Sequence, residues 1–457
     1  MPEEINLANS LLKNFLKNYK GVKYIDSKIN LYDWNTISTD SRKIKKGDIF
    51  ISLNGENFKG DNFIIDAFKL GAKFCITSKE SKGKNQIIVD STLGFIHDFA
   101  SYIIESTTRL KKFAITGTNG KTTTKELLKN ILLQKFNVLA SEGNFNNQIG
   151  VPITIFNLNK SHEILISEMG TNSHGEIEKL SKIAKPDFAT ITNIGTGHTE
   201  GLKNKKNIFC EKSNITKYFN KNSLFSFNLD DEFIKSFYKK IDCEKITYGI
   251  NNEADLKAVN ISNDFTNFDI KYKESFYSVK LKAPGLNNIY NSLCSASLAM
   301  QTDMNIQEIV NGINSFDGIS NRFKIINLKN DNVIINDTYN ANPDSTIRAI
   351  EMTNKIFYKK KKIAILGSML ELGEESSKEH QSVSSYLKKN EFKEVYSYGP
   401  NSNDYKRNLD KNTNFIELKN HNEIEKYINL NSTHNTVILV KGSRGMKMEK
   451  ILISLGL

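Results

Sequence analysis

The stretch AITGTNGKTTTKELLKNILLQKF, residues 114–136, decides how the rest of the chain is read. An apolar run, KFAITG (112–117), enters a glycine turn. The turn opens into a segment that places Leu127, Leu128, Ile131, Leu132 and Phe136 on one helical face. Strand, glycine loop and helix in that order predict a phosphate site. Gly117 and Gly120 reach backbone angles closed to other residues, so the main-chain N–H groups around Thr118 and Asn119 can approach phosphate oxygens. The helix start, near Thr122 and Thr123, adds partial positive charge. Lys121 adds a full one for the β- and γ-phosphates, and Thr122 offers a hydroxyl to Mg²⁺. The usual spacing is G-x-x-x-x-G-K-[ST]; here only Thr118 and Asn119 separate the glycines. The expected ligands are ATP and Mg²⁺, held by a shortened loop.

The rest of the chain supplies the setting. Its 457 residues are too many for one core, and about two to four domains are expected. Strand-like and helix-like segments alternate: GDIFISL (47–53), DNFIIDAFKLGA (61–72), FCITS (74–78) and QIIV (86–89) come first. ILISEMG (164–170) and FATITNIG (188–195) follow the glycine loop. VIINDTY (333–339), PDSTIRAIEMTNKIF (343–357), IAILGSM (363–369), VYSYG (395–399) and VILVKGS (437–443) form a third block. This alternation predicts α/β architecture with parallel sheets covered on both sides. Boundaries are expected near 105–110 and 315–320, which divides the chain into 1–107, 108–317 and 318–457.

Composition narrows the function classes. No apolar run approaches the roughly 18 residues of a membrane-spanning helix. The N-terminal MPEEINLANSLLKNFLKNYK has early acidic residues and no continuous apolar core, so no signal peptide is expected. Cys75, Cys210, Cys243 and Cys294 are dispersed, which speaks against a disulfide framework or a zinc site and for a reducing cytoplasm. The net charge of +12 suits an anionic partner. Its lysines are spread without an aromatic-interleaved basic stripe, so nucleic acid is not the expected partner.

Further motifs occur in order: STDSRKIKKGDIFISLNG (38–55), EGNFNNQIGVPIT (142–154), SEMGTNSHGEIEKL (167–180), TNIGTGHTEG (192–201), APGLNNIYN (283–291), NDTYNANPDS (336–345), LGSMLELGEES (366–376) and LVKGSRGMKME (439–449). With the short glycine loop they resemble the Mur ligase and folylpolyglutamate synthetase superfamily, ATP-dependent enzymes that form amide bonds. The resemblance covers nearly the whole chain. It implies three domains: a UDP-sugar-binding domain (1–107), a central phosphate-loop ATPase domain with a parallel sheet (108–317) and a C-terminal Rossmann-like domain (318–457). NNQIGVP, YNANPDS and MLELG are similar to the member that joins D-alanyl-D-alanine to UDP-N-acetylmuramoyl-tripeptide through an acyl phosphate, in peptidoglycan precursor synthesis. The D-N-P-R motif of the sister ligase is missing from domain three. A monomer that binds neither nucleic acid nor membrane is expected. The alternatives are another amino-acid ligase of the family and a phosphate-loop ATPase acting on nucleic acid.

The resemblance also assigns roles. Glu168 ends an apolar strand and suits Mg²⁺ as an oxygen ligand. Read alone, His198 is a loop histidine making hydrogen bonds; the resemblance places it at a second Mg²⁺. Read alone, Lys212 is a solvated lysine; the resemblance makes it a carbamylated lysine whose carbamate ligates Mg²⁺. Lys121, Lys212 and His198 form the implied catalytic set. Asn288 and Asn291 resemble an adenine-contacting pair, although Asn287 stands where histidine is usual. Arg322 resembles a hinge arginine over the ATP phosphates, although Asn321 stands where glycine is usual. Asp337 resembles a residue that holds the ribose hydroxyls. Ser38, Thr39, Asp40, Ser41 and Arg42 resemble part of the uridine-nucleotide site.

Overall fold

A computed structural model describes residues 6–55, 59–79, 85–196, 199–430 and 432–457. Among the described residues the strands form three sheets, of five, nine and six strands. The nine-stranded sheet carries the glycine loop. Strand Lys111–Thr116 lies between Ile164–Glu168 on one side and Phe188–Ile191 on the other, parallel to both. Val138–Ala140 is the edge beyond Ile164–Glu168. The chain therefore runs outward from Lys111–Thr116, returns beside it, and then crosses to its other flank. At such a switch point, the loops that leave the carboxyl ends diverge and open a crevice. Thr116, Glu168 and Ile191 all end strands at that crevice.

These strands are apolar along their whole length because both faces are covered. Ile164–Glu168 is buried at every position. On one face, Leu127, Leu128, Ile131 and Leu132 of helix Lys121–Leu132 share a core with Ile289 and Leu293 of helix Leu286–Ala299. On the other face, Phe156 and Ile177 join Phe95 and Phe99 of helix Thr92–Glu105. The Phe99 and Phe156 rings stand 5.4 Å apart. The N-terminal block thus packs on the central sheet through continuous apolar contact. Burying such side chains contributes about 1.5–3 kcal/mol each.

The parallel-sheet expectation needs one extension. Strands Asn267–Tyr272 and Ser275–Lys280 add an antiparallel hairpin at the edge. The alternation Phe268, Ile270 inward and Asn267, Asp269 outward fits a half-buried strand. The expected helix at 61–72 is a 3-10 turn, Gly60–Phe63, followed by helix Ile64–Lys69. Gly71, at φ +102°, stops it. The apolar stretch 188–195 leaves the sheet after Ile191, and its tail braces the glycine loop instead.

In the third sheet, Lys324–Asn327 runs antiparallel to Val333–Asp337. Val333–Asp337, Thr436–Lys441, Lys361–Gly367, Glu394–Tyr398 and Asn414–Leu418 run parallel. Asp337 and Lys441 face each other in register at the carboxyl ends of their strands. The sheet of the N-terminal block pairs Val22–Ile25 antiparallel to Gln86–Val89, then continues in parallel through Phe74–Thr77, Ile49–Ile51 and Ile37–Ser38.

Candidate active site

The glycine loop is tightly determined. Gly120, at φ +83°, caps helix Lys121–Leu132. A β-carbon there would lie 2.5 Å from Asn291 Oδ1. At Gly117 it would lie 1.9 Å from Thr192 Oγ1. The tail of the neighbouring strand holds the loop from behind. Thr118 N–H donates to Asn193 O at 2.9 Å, and Thr192 Oγ1 donates to Asn119 O at 2.5 Å. Gly195 N–H donates to Thr118 Oγ1 at 2.9 Å. Lys121 curls over the loop and donates from Nζ to the carbonyls of Gly117 (2.8 Å) and Thr118 (3.1 Å). Burial pulls its pKa down; the charges of Glu168 and Glu371 oppose this and Arg322 adds to it. An anion at the loop would therefore meet an ammonium already desolvated and positioned.

Glu168 is buried at its strand end. Asn146 Nδ2 donates to Oε1 at 2.9 Å, and Ser141 Oγ accepts from the Glu168 N–H at 3.2 Å. Oε2 is buried with no hydrogen-bond partner among the described residues. Lys212, on helix Lys205–Ser213, is wholly buried and its Nζ also lacks a partner among the described residues. Burial drives its pKa well below the ordinary lysine range, and the charge of Lys121 adds to this. The adjacent Glu211 opposes the shift, yet its carboxylate is committed elsewhere: it accepts from the N–H groups of Gly175 (2.7 Å) and Ile177 (2.8 Å). Lys212 is thus a lysine of the interior, not a solvated one, and burial favours its uncharged form. His198 lies outside the described residues.

The third block reaches the loop through Arg322. Its Nη2 donates to Thr122 Oγ1 at 3.2 Å, and its guanidinium stacks on the Tyr339 ring at 3.9 Å. Asn342 Nδ2 donates to Asn119 Oδ1 at 2.8 Å. Asp344 Oδ2 accepts from Thr196 N–H (2.7 Å) and Thr196 Oγ1 (3.0 Å). Asn321 has φ +69°, a left-handed conformation in which glycine is easiest and asparagine next. That is the physical reason asparagine can stand where the resemblance has glycine.

The remaining expected residues divide. Asn288, Thr123 and Arg322 line a narrow cleft whose apolar walls include Leu127 and Phe316. Asn291 instead backs the loop and accepts from Thr124 Oγ1 at 3.3 Å. Asp337 has both carboxylate oxygens engaged: Oδ2 with Lys441 Nζ at 2.6 Å and Oδ1 with Phe323 N–H at 3.1 Å. Ser38–Arg42 builds a separate turn in the N-terminal block. Asp40 caps it, and Arg42 grips both Asp40 oxygens at 2.9 Å. That contact is the main cause holding the Asp40 carboxyl below the ordinary range. Ser38 Oγ donates to Asp40 O at 3.0 Å, and Ser41 opens the 3-10 turn that follows Thr39 and Asp40.

Sequence reasoning passed over Asn146, Asn342, Asp344, Glu371 and Lys441 as individual residues. Each lies inside a motif quoted above, and the motif was the only signal.

The fold and the site together define a three-part α/β protein of the phosphate-loop class whose third block reaches the loop through Arg322 and Asn342. Three family descriptions match in order: the Mur ligase family catalytic domain at residues 34–103, the Mur ligase middle domain at 115–299, and the Mur ligase glutamate ligase domain at 321–444. A UDP-N-acetylmuramoyl-tripeptide–D-alanyl-D-alanine ligase of Buchnera aphidicola is 34% identical over 94% of this chain and 95% of its own. The Bacillus subtilis protein of that description is 30% identical over 91% and 92%. MurF from Acinetobacter baumannii superposes with TM-score 0.84 at 28% identity, covering 92% of each chain. MurF from Thermotoga maritima, solved in complex with ADP, gives 0.82 at 26% identity, covering 92% and 97%. The chain belongs to the Mur ligase family.

Proposed function

We propose that this chain joins D-alanyl-D-alanine to UDP-N-acetylmuramoyl-tripeptide at the expense of ATP, in peptidoglycan precursor synthesis. Full-length likeness to ligases of that description carries the choice of substrates. One contact carries the ATP-driven chemistry: Arg322 of the third domain on Thr122 of the phosphate loop. Residues 1–107 would hold the UDP-sugar, with Ser38–Arg42 in its site. Residues 108–317 would hold ATP, and 318–457 would close over it. The adenine would occupy the cleft beside Asn288. No helix among the described residues is long and apolar enough to cross a membrane, and we place the enzyme in the cytoplasm as a monomer.

A carboxylate does not acylate an amine at neutral pH, because oxide is a poor leaving group. Attack of the tripeptide carboxylate on the γ-phosphate gives ADP and an acyl phosphate. Attack of the dipeptide amine on the acyl carbon then releases phosphate. The first step brings anions together, so the chain must gather positive charge. Lys121 and Arg322 converge on the loop for this, and the loop's N–H groups cradle the phosphates. The glycine loop stays rigid because Thr192, Asn193 and Gly195 brace it.

The residues fit Mg²⁺. Glu168 keeps an unpartnered oxygen in the interior, and Thr122 presents a hydroxyl. When bound, Mg²⁺ would neutralise phosphate charge and hold the reacting oxygens in line. Lys212, whose uncharged form burial favours, can in that form add CO₂ and lose a proton to become a carbamate. That would turn an unpartnered amine into an oxygen ligand in the neighbourhood of Lys121, with His198 the candidate for a second ion.

Tripeptide nucleotide carrying oxygen-18 in its terminal carboxylate tests the route. The label is expected in released phosphate. Label retained wholly in the peptide product would refute the acyl phosphate.

A further inference from the structure

Lys441 has no role in the reading above, yet it is an almost completely buried cation at the edge of the ATP crevice. It donates from Nζ to Asp337 Oδ2 at 2.6 Å and to Asn340 O at 2.9 Å. The other Asp337 oxygen does not return to the sheet. It accepts the N–H of Phe323, in the segment that joins the central and third domains. That segment is strained: Asn321 and Phe323, on either side of Arg322, have φ of +69° and +46°. A non-glycine residue in this region is strained and persists where its surroundings over-determine it. Here the surroundings are the ends of Val333–Asp337 and Thr436–Lys441. Asn336 Nδ2 donates to Asn321 Oδ1 at 2.8 Å, and Tyr339 N–H donates to Asn321 O at 3.0 Å. Tyr339 then supplies the ring on which Arg322 lies.

We propose that Lys441 is a positioning residue: by fixing Asp337 on the Phe323 N–H, it holds the twisted hinge that aims Arg322 at the phosphate loop. Two consequences are specific. Asp337 commits one acceptor site of each oxygen to this lock, so its carboxylate is fixed at the hinge whether or not a ribose is bound. Lys441 acts on the reaction only through Arg322, whose Nε is itself buried and unpartnered among the described residues. The inference rests on the ligase reading for its assay, but its central comparison is between variants.

The test measures amide formation and melting temperature in the full chain, for Lys441→Met, Arg322→Ala, and the two combined. The wild-type chain in the same assay tests the ligase reading separately. Lys441→Met is expected to lower kcat on the order of a hundredfold, as a misaimed group does. In the Arg322→Ala background the same change is expected to cost less than about threefold, because the two residues act as one unit. Full hundredfold losses in both backgrounds would overturn the proposal, as would wild-type kcat in Lys441→Met. Removing one partner of a buried pair can also unfold a domain. The paired variant Lys441→Met with Asp337→Asn covers that case, since it removes the unpaired charge and keeps an acceptor for Phe323. Melting is expected to recover while kcat stays at least about tenfold below wild type, because nothing then fixes the acceptor on the Phe323 N–H. Recovery of kcat to the wild-type level would overturn the proposal, since the unpaired charge alone would then explain the loss. Amide exchange at Phe323 gives a readout independent of turnover: faster exchange in Lys441→Met supports the lock, and unchanged exchange overturns it.

Discussion

Replacing Lys212 with methionine separates a catalytic lysine from a merely buried one. The side chains have similar length, so packing is nearly preserved. Lys212 Nζ has no hydrogen-bond partner among the described residues, and the adjacent carboxylate of Glu211 serves Gly175 and Ile177. An unsatisfied buried polar group costs about 1–3 kcal/mol. The methionine variant should therefore melt no lower than wild type. Activity should move the other way. If the amine becomes a carbamate that completes the Mg²⁺ set, its loss removes charge stabilisation from phosphoryl transfer. Losing one such preorganised group costs about 2.7–4 kcal/mol, or on the order of a hundredfold to a thousandfold in kcat. The assay is amide formation at saturating ATP, Mg²⁺ and both substrates, paired with thermal melts. Stripping CO₂ from the buffers should slow wild type, and bicarbonate should restore it; neither should affect Lys212→Met. Acetate should partly restore Lys212→Ala, because it can fill the vacated volume with a carboxylate. Wild-type kcat in Lys212→Met, or indifference of wild type to CO₂, would refute the reasoning.

Gly120→Ala would press a β-carbon against Asn291 Oδ1 in a left-handed backbone; the strain of roughly 1–2 kcal/mol should raise KM for ATP about tenfold and lower the melting temperature. Asp344→Ala deletes two charge-assisted hydrogen bonds between the third domain and Thr196, each worth about 1.5–3 kcal/mol. Solution scattering should show a larger radius for this variant without ligands, and compaction once an ATP analogue and tripeptide nucleotide bind; an unchanged radius would count against the contact. His380 accepts the Met369 N–H at Nε2 and approaches Ser376 O through Nδ1, so the proton sits on Nδ1 and the ring is neutral. Burial lowers its pKa below the ordinary 6.5. The unfolded chain then binds the extra proton first, so stability should fall as pH drops through about 6.5 and level off below the folded pKa. His380→Phe should flatten that slope in denaturant titrations from about pH 7 to 5, and an unaltered slope would exclude His380 as its source.

The sequence was most legible where a local pattern and a tertiary need coincide. Strand Lys111–Thr116, the glycine loop and helix Lys121–Leu132 announce themselves because a phosphate site requires that order in a single stretch. Glu168 could be found because it ends an apolar strand, and the parallel-sheet rule says what a strand end faces. Lys212 could not be found from local pattern. Its helix, Lys205–Ser213, has no clear apolar face, so nothing nearby shows that this lysine points inward. Only its spacing within a motif singled it out, and burial then shows it is no surface charge. Asp337 was legible as a strand-end carboxylate, but its partners Lys441 and Phe323 come from other segments, and long-range pairing leaves no local trace. The antiparallel hairpin at 267–280 escaped notice although Asn267–Tyr272 alternates, because its partner Ser275–Lys280 is largely exposed and neither strand carries a motif residue to mark it.

The most direct measurement is ATP turnover alongside product mass, with the purified chain, Mg²⁺, UDP-N-acetylmuramoyl-tripeptide and D-alanyl-D-alanine. The account predicts one ADP and one phosphate for each nucleotide-linked pentapeptide formed, with no pentapeptide when either substrate is omitted. ATP hydrolysis at the same rate without tripeptide nucleotide or dipeptide, and no product of the expected mass with both present, would contradict it.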